Sequence, residues 1–268
     1  MAGMERMPVL FIGHGSPMNA IEDNVFSRVW REAAGKLPRP EAILCISAHW
    51  ETPGTRVTAM EKPQTIHDFG GFPRELFETE YPAPGSPWLA QEVRRAVGET
   101  IVAPDLEWGL DHGCWSVLKQ MYPAADVPVV QLSLDEGATA RSRYEIAGRL
   151  APLRRKGVLV LASGNLVHNL GRVRLRAGAG FNDEFGFDWA VEANTLFKAL
   201  IDGREHDRLI DYRSLGPSAQ LAINSAEHYL PMLYAVALRE QDESVTWFND
   251  TAVAGSLTMT SFRIDRTE

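Results

Sequence analysis

Cysteine is scarce in this chain. Two residues, Cys45 and Cys114, occur in 268, and they form no CxxC pair. That excludes a disulfide scaffold or a cysteine-rich zinc module and favours a reducing compartment. Cys45 lies inside an apolar run and reads as a small hydrophobe. A basic surplus is also missing, since the formal net charge is -8 and the pI about 5.4. Nucleic-acid binding needs a basic face, so no nucleic-acid partner is expected. No apolar run approaches the roughly 18 residues of a membrane-crossing helix. The N-terminus carries Arg6 but no sustained apolar stretch and no small-residue cleavage site. These absences point to a soluble, cytoplasmic chain with no membrane partner.

Several motifs are missing as well. There is no Walker A sequence and no strand-linked GxGxxG, which disfavours nucleotide binding. Ser16 and Ser163 lie outside any GxSxG, so serine hydrolysis is discounted. No HExxH or Cys/His finger occurs. No repeat or low-complexity tract divides the chain.

What is present is ordinary globular composition, 45% hydrophobic and 23% charged, in a length that suits one large α/β domain over residues 1–268. Three short apolar runs each end in histidine-bearing turns. Pro8 to Ile12 runs into Gly13-His14-Gly15-Ser16-Pro17, and Ala42 to Ala48 runs into His49-Trp50. Val158 to Ala162 runs into Ser163-Gly164-Asn165, with His168-Asn169 three residues on. Runs of this kind form buried strands. Helical spacing is read over Ile21–Lys36, Trp88–Gly98, Ala138–Lys156, Phe187–Asp202, His206–Tyr212 and Glu227–Ala237. Further strands are read at Val57–Met60, Ile101–Ala103, Val127–Leu134 and Gly255–Ile264. Strands alternating with helices predict a single α/β domain, its mostly parallel central sheet flanked by helices. Glu61 to Pro87 is a long loop rich in Pro and Gly, and its aromatics Phe69, Phe72, Phe77 and Tyr81 are candidates to wall a pocket.

His14, His49, His168 and His228 form a candidate metal set. Three sit at predicted carboxyl ends of strands, where open α/β sheets bind ligands, and one at a helix start. A lone loop histidine is more often solvated or hydrogen-bonded than a ligand, so their shared position carries the reading. Neutral imidazole suits Zn, Fe, Cu or Ni. With no thiolate pair, a catalytic metal with an open position fits better than a structural one. Asp68, Asp111 and Glu227 adjoin histidines and either orient imidazoles or cap turns. Glu227 is also a candidate ligand in place of His228. The stretch from Trp108 to Trp115 reads equally as pocket wall or core.

Taken together, GHGSPMNAIEDN (Gly13 to Asn24), SAHW (Ser47 to Trp50), TIHDFGGFP (Thr65 to Pro73), YPAPGSP (Tyr81 to Pro87), WGLDHGCW (Trp108 to Trp115), SGNLVHNL (Ser163 to Leu170) and EHYLPMLY (Glu227 to Tyr234) resemble the class III extradiol ring-cleavage dioxygenases, and more narrowly their DOPA 4,5-dioxygenase-like branch. The resemblance spans nearly the whole chain. It implies a non-haem Fe(II) site, with zinc in its place in the purified protein, and ring opening of a catechol with O2. The ligands it implies are His14, His49 and His228. His168 stands by as a fourth ligand in the zinc form or as an acid/base, and His112 is a substrate-pocket or proton-transfer residue. Better-known members use two histidines and a glutamate; of Glu227 and His228, we take His228. Ser16, His67, Phe69, Phe72, Trp108 and Trp115 are the expected substrate-pocket residues. The alternatives are a zinc-dependent hydrolase using the same ligands and a non-enzymatic binding protein on the same fold. Oligomeric state is not readable.

Overall fold

The structure is a computed structural model that describes residues 6–177 and 180–266. Eight strands form its central sheet: β1 (Val9–Gly13), β2 (Ala42–Thr52), β3 (Thr55–Thr58), β4 (Val102–Asp105), β5 (Val129–Asp135), β6 (Val158–Gly164), β7 (Glu243–Phe248) and β8 (Ser261–Arg266). Their spatial order is β4-β3-β5-β2-β6-β1-β8-β7. The pairs β4/β3, β5/β2, β2/β6 and β6/β1 are parallel; β3/β5, β1/β8 and β8/β7 are antiparallel. The sheet is thus mostly parallel, with helices on both faces, as the alternation predicted.

The apolar runs are continuous because both faces of these strands are covered. Val9 and Phe11 pack with Leu44, Ile46, Val158 and Val160 on one face. Leu10 and Ile12 pack with Ile43, Cys45, Leu159 and Leu161 on the other. Helices Pro87–Val97, Ala140–Gly148, Asp188–Asp202 and Leu230–Ala237 cover the first face. Helices Val25–Gly35 and His112–Met121 cover the second. No helix among the described residues is long and apolar enough to cross a membrane.

Several boundaries differ from the sequence reading. The helix expected over Ala138–Lys156 is two, Ala140–Gly148 and Ala151–Arg154, separated just before Pro152. The start of Ile21–Lys36 is a turn, because Asn24 caps the helix at Val25 through the N–H groups of Phe26 and Ser27. The helix read from Glu227 begins at Leu230, which leaves Glu227 and His228 on the preceding turn. The edge strand Glu243–Phe248 and the helix Pro217–Ala222 were not foreseen. The loop Arg172–Asp183 holds two residues, 178 and 179, that lie outside the described ones.

Candidate active site

The three adjacent parallel strands β2, β6 and β1 end side by side, and the site is built on those ends. His14 directly follows β1, and its backbone N–H extends the ladder to the Gly164 carbonyl at 3.1 Å. His49 was expected past the end of its strand. It lies within β2 instead, at an irregularity where the register to β5 steps from Ile46 opposite Leu132 to Glu51 opposite Leu134. Extra residues on one strand re-aim side chains, and such bulges gather next to active sites. The turn after β6 carries His168, whose N–H bonds the Ala222 carbonyl at 2.9 Å.

His228 is delivered from outside the sheet. Its carbonyl accepts the Asn165 N–H at 2.9 Å, directly beside Gly164. A Cβ at Gly164 would sit 2.1 Å from that carbonyl oxygen, so only glycine lets the His228 turn seat on the strand end. Gly113 plays the matching part for His49: a Cβ there would sit 2.6 Å from the Ser47 hydroxyl and 2.8 Å from the His49 ring.

Five imidazoles converge as a result. The His14 ring centroid is 5.0 Å from His49 and 5.3 Å from His228, and His49 is 4.9 Å from His228. His112 lies 3.9 Å from His49, and His168 stacks on His228 at 3.5 Å. Nitrogen atoms of His14, His49 and His112 lie within 4.8 Å of one another, as do ligand atoms of His168, Glu227 and His228.

Hydrogen bonds set the tautomers. Ser163 Oγ donates to the Gly113 carbonyl at 2.5 Å, so toward His14 Nδ1, 3.0 Å away, it accepts. The proton of neutral His14 is therefore on Nδ1, and Nε2 carries a lone pair. His14 Nε2 stands 3.1 Å from His49 Nε2. His228 Nδ1 faces Glu227 Oε1 at 3.1 Å, which leaves its Nε2 free in the same way. Burial first, then the neighbouring imidazoles, holds His14 and His228 well below the usual histidine range. Burial likewise brings His168 down to about 4 and, together with the His112 charge, His49 to about 3. Clustered neutral imidazoles with converging lone pairs are a donor set that fits a divalent transition metal.

The acidic residues divide as the two readings allowed. Asp68 Oδ2 lies 2.9 Å from His112 Nδ1 and 3.6 Å from His49 Nδ1, and its Oδ1 accepts the His112 N–H at 2.9 Å. The His112 ring nitrogen lies close to Asp68 but outside hydrogen-bonding geometry. Burial pushes Asp68 up, but the two imidazoles outweigh it and hold the carboxyl below its ordinary value. Glu227 lies behind His228, also bonded by Ser225 Oγ at 2.8 Å. Asp111 touches no imidazole nitrogen. It caps helix His112–Met121 through the Cys114 N–H and bonds Ser47 and Gln131. Burial raises its pKa.

The cluster floors a cavity of about 400 Å³. Ser16, Phe69 and Phe72 line it as expected, together with Phe181, Leu170 and Leu257, which sequence reasoning missed. Three expected pocket residues do not line it. Trp115 is fully buried beneath the loop and donates its indole N–H to the Ile66 carbonyl at 2.8 Å. Next to it, His67 bonds the Thr79 carbonyl at 2.9 Å and packs on Trp115. Trp108 stacks on Trp50 at 5.6 Å, with rings 3° from parallel. Trp115 and His67 support the loop that carries Asp68, Phe69 and Phe72. Nor does Phe77 or Tyr81 wall the cavity; Tyr81 is buried against the Tyr122 carbonyl. Ser163, set aside as a nucleophile, acts as the hydrogen-bond acceptor for His14. Its place at the end of β6, beside Gly164, was the available signal.

Comparisons with known proteins place the chain among relatives. Residues 8–258 match the family model described as the catalytic LigB subunit of aromatic ring-opening dioxygenase. A protein of Escherichia coli strain K12 named 4,5-DOPA dioxygenase extradiol is 46% identical over 97% of this chain and 95% of its own. A Beta vulgaris protein of the same name is 33% identical over 96% of each chain. The crystal structure of an uncharacterized Escherichia coli K12 protein superposes with a TM-score of 0.83 at 41% identity, covering 97% of this chain and all of that one.

Proposed function

The chain belongs to the family of the catalytic LigB subunit of aromatic ring-opening dioxygenases, and we propose that its active centre is a ferrous site held by His14, His49 and His228, acting on a 3,4-dihydroxyphenyl ring. The enzyme is an extradiol dioxygenase that opens a catechol with O2. The family match and the names of the relatives do not favour a zinc hydrolase or a non-enzymatic binding role. The chain acts as one catalytic domain over residues 1–268.

The 3.1 Å approach of His14 Nε2 to His49 Nε2, with the His14 proton turned to Ser163, carries this reading. With the His49 proton on Nδ1 toward Asp68, 3.6 Å away, the two Nε2 lone pairs face each other and repel unless a cation takes both. His228 is the third ligand and Glu227 its orienting acceptor, because His228 lines the cavity and Glu227 does not. Zinc fits the same donors, and we expect it in protein purified without added iron.

Ferrous iron, when bound, supplies Lewis acidity toward the diol and an electron path between ring and O2. The chain's own residues do the rest. A ring nitrogen of His168, neutral because burial holds it near 4, accepts the first catechol proton. His112, its ring and backbone N–H both against Asp68, stands on the opposite side of the cluster as acceptor of the second catechol proton, which it gives back as the ring opens. Phe69, Phe72 and Phe181 pack the ring and exclude water. The relatives' names support a DOPA-like substrate, with O2 as co-substrate.

The test is anaerobic loading with Fe(II), then a dihydroxyphenyl compound in air. Stoichiometric O2 uptake with a new visible absorption is expected, and none with zinc. His14→Ala and His49→Ala should lose both metal and turnover, by roughly 100-fold or more. His168→Ala should lose turnover while keeping metal. Tight metal binding without uptake on several catechols would return the assignment to zinc hydrolysis.

A further inference from the structure

We propose that the pocket selects catechols whose side chain is neutral or cationic and discriminates against those whose side chain carries a carboxylate as its only charge. The inference rests on the ring-opening reading above and adds the charge class of the substrate.

Among the described residues, no lysine or arginine lines the cavity. Its one lining carboxylate among the described residues is that of Asp68, close to His112 and His49. Beyond the imidazoles, the wall is Phe69, Phe72, Phe181, Leu170 and Leu257, with glycines, Pro17 and the Ser16 hydroxyl. Leu170 is 59% exposed although it is apolar, which places a hydrophobic side chain where the cavity meets solvent.

The nearby basic loop does not repair this. Arg176 is ion-paired with Asp183 and lies over the Phe185 ring. Arg172 and Arg174 do not line the cavity. Residues 178 and 179 are Gly and Ala, so the loop has no further cation to offer there. The diol end of a substrate is committed to the imidazole cluster, so its side chain must lie along the apolar wall or at the Leu170 rim. A carboxylate there loses water without gaining a partner, and it shares the cavity with Asp68. An alkyl group matches the wall, and an ammonium group is attracted by Asp68.

Four catechols with the same ring and two-carbon arm separate the effects: 4-ethylcatechol, dopamine, DOPA, and 3-(3,4-dihydroxyphenyl)propionate. With the Fe(II)-loaded enzyme, kcat/KM for the propionate is expected to be roughly tenfold or more below those for 4-ethylcatechol and dopamine, because a polar group left unpaired is rejected strongly. DOPA, with both charges, should fall between. Leu170→Arg should raise the propionate-to-dopamine ratio. Equal or higher kcat/KM for the propionate would overturn the inference, and its loss in Arg172→Ala would then assign the loop arginine as the anchor. Failure to open any of the four would overturn the ring-opening reading itself and is told apart by the neutral substrate.

Discussion

Ser163 Oγ accepts a hydrogen bond from His14 Nδ1 at 3.0 Å because its own proton is committed to the Gly113 carbonyl. One hydroxyl thereby ties β6, the turn after β1 and the helix that starts at His112. Ser163→Ala leaves the buried His14 Nδ1–H without its acceptor, at a cost of about 1–3 kcal/mol. It also frees the ring to turn. Metal affinity should fall roughly 10- to 100-fold. Metal titration by calorimetry checks this, and unchanged affinity would contradict the orienting role.

Gly164→Ala is predicted to be worse for metal binding than its single methyl group suggests. The new Cβ would meet the His228 carbonyl oxygen at 2.1 Å, so the turn carrying His228 must lift off the strand end. The Asn165 N–H to His228 carbonyl bond is lost with it. Overpacking of this kind costs about 1–3 kcal/mol. Denaturant midpoints and bound iron should both drop, and a variant that keeps full iron would show that the turn tolerates displacement.

Stability of the metal-free protein should depend on acid in a defined window. Burial holds His168 at about 4 and His49 at about 3, whereas an unfolded imidazole titrates near 6.5. Between those values the unfolded chain binds more protons than the folded one. Stability is therefore fully present above pH 6.5 and falls as pH drops toward 4. Urea midpoints taken from pH 4 to 7.5 should show the slope, and His168→Asn should flatten part of it. A midpoint independent of pH across the window would contradict the buried, neutral cluster.

Trp115→Phe should act on the loop rather than on the metal. The indole N–H holds the Ile66 carbonyl two residues before Asp68. Its loss should cost about 1–2 kcal/mol and raise KM for the catechol, while iron content stays constant. Equal losses of iron and turnover would place Trp115 closer to the centre than its burial beneath the loop indicates.

Much of the fold was legible because strands buried on both faces read as unbroken apolar runs, as at Val9–Ile12 and Val158–Ala162. His14 and His168 were legible for the related reason that such runs stop where the ligand-binding edge begins. His49 was placed at a strand end because nothing in Ser47-Ala48-His49-Trp50 announces the irregularity that lets β2 continue to Thr52. The orienting role of Ser163 was not legible for want of register: it depends on pairing with Ile12 on one side and Ser47 on the other. Trp108 and Trp115 kept two readings because aromatic side chains pack cores and pockets alike, and only the path of the loop above them decides. The edge strand Glu243–Phe248, half-buried and mixed in polarity, carries no such clear pattern.

The assignment of His14, His49 and His228 is tested most directly by anomalous diffraction at the iron edge on crystals loaded anaerobically with Fe(II). The account predicts one peak at about 2.0–2.3 Å from Nε2 of His14, His49 and His228, close to ordinary metal–imidazole distances. The Glu227 carboxylate should remain on His228 Nδ1, off the metal. A peak bonded to Glu227 instead of His228, or one held by His14, His49 and His112 without His228, would contradict it.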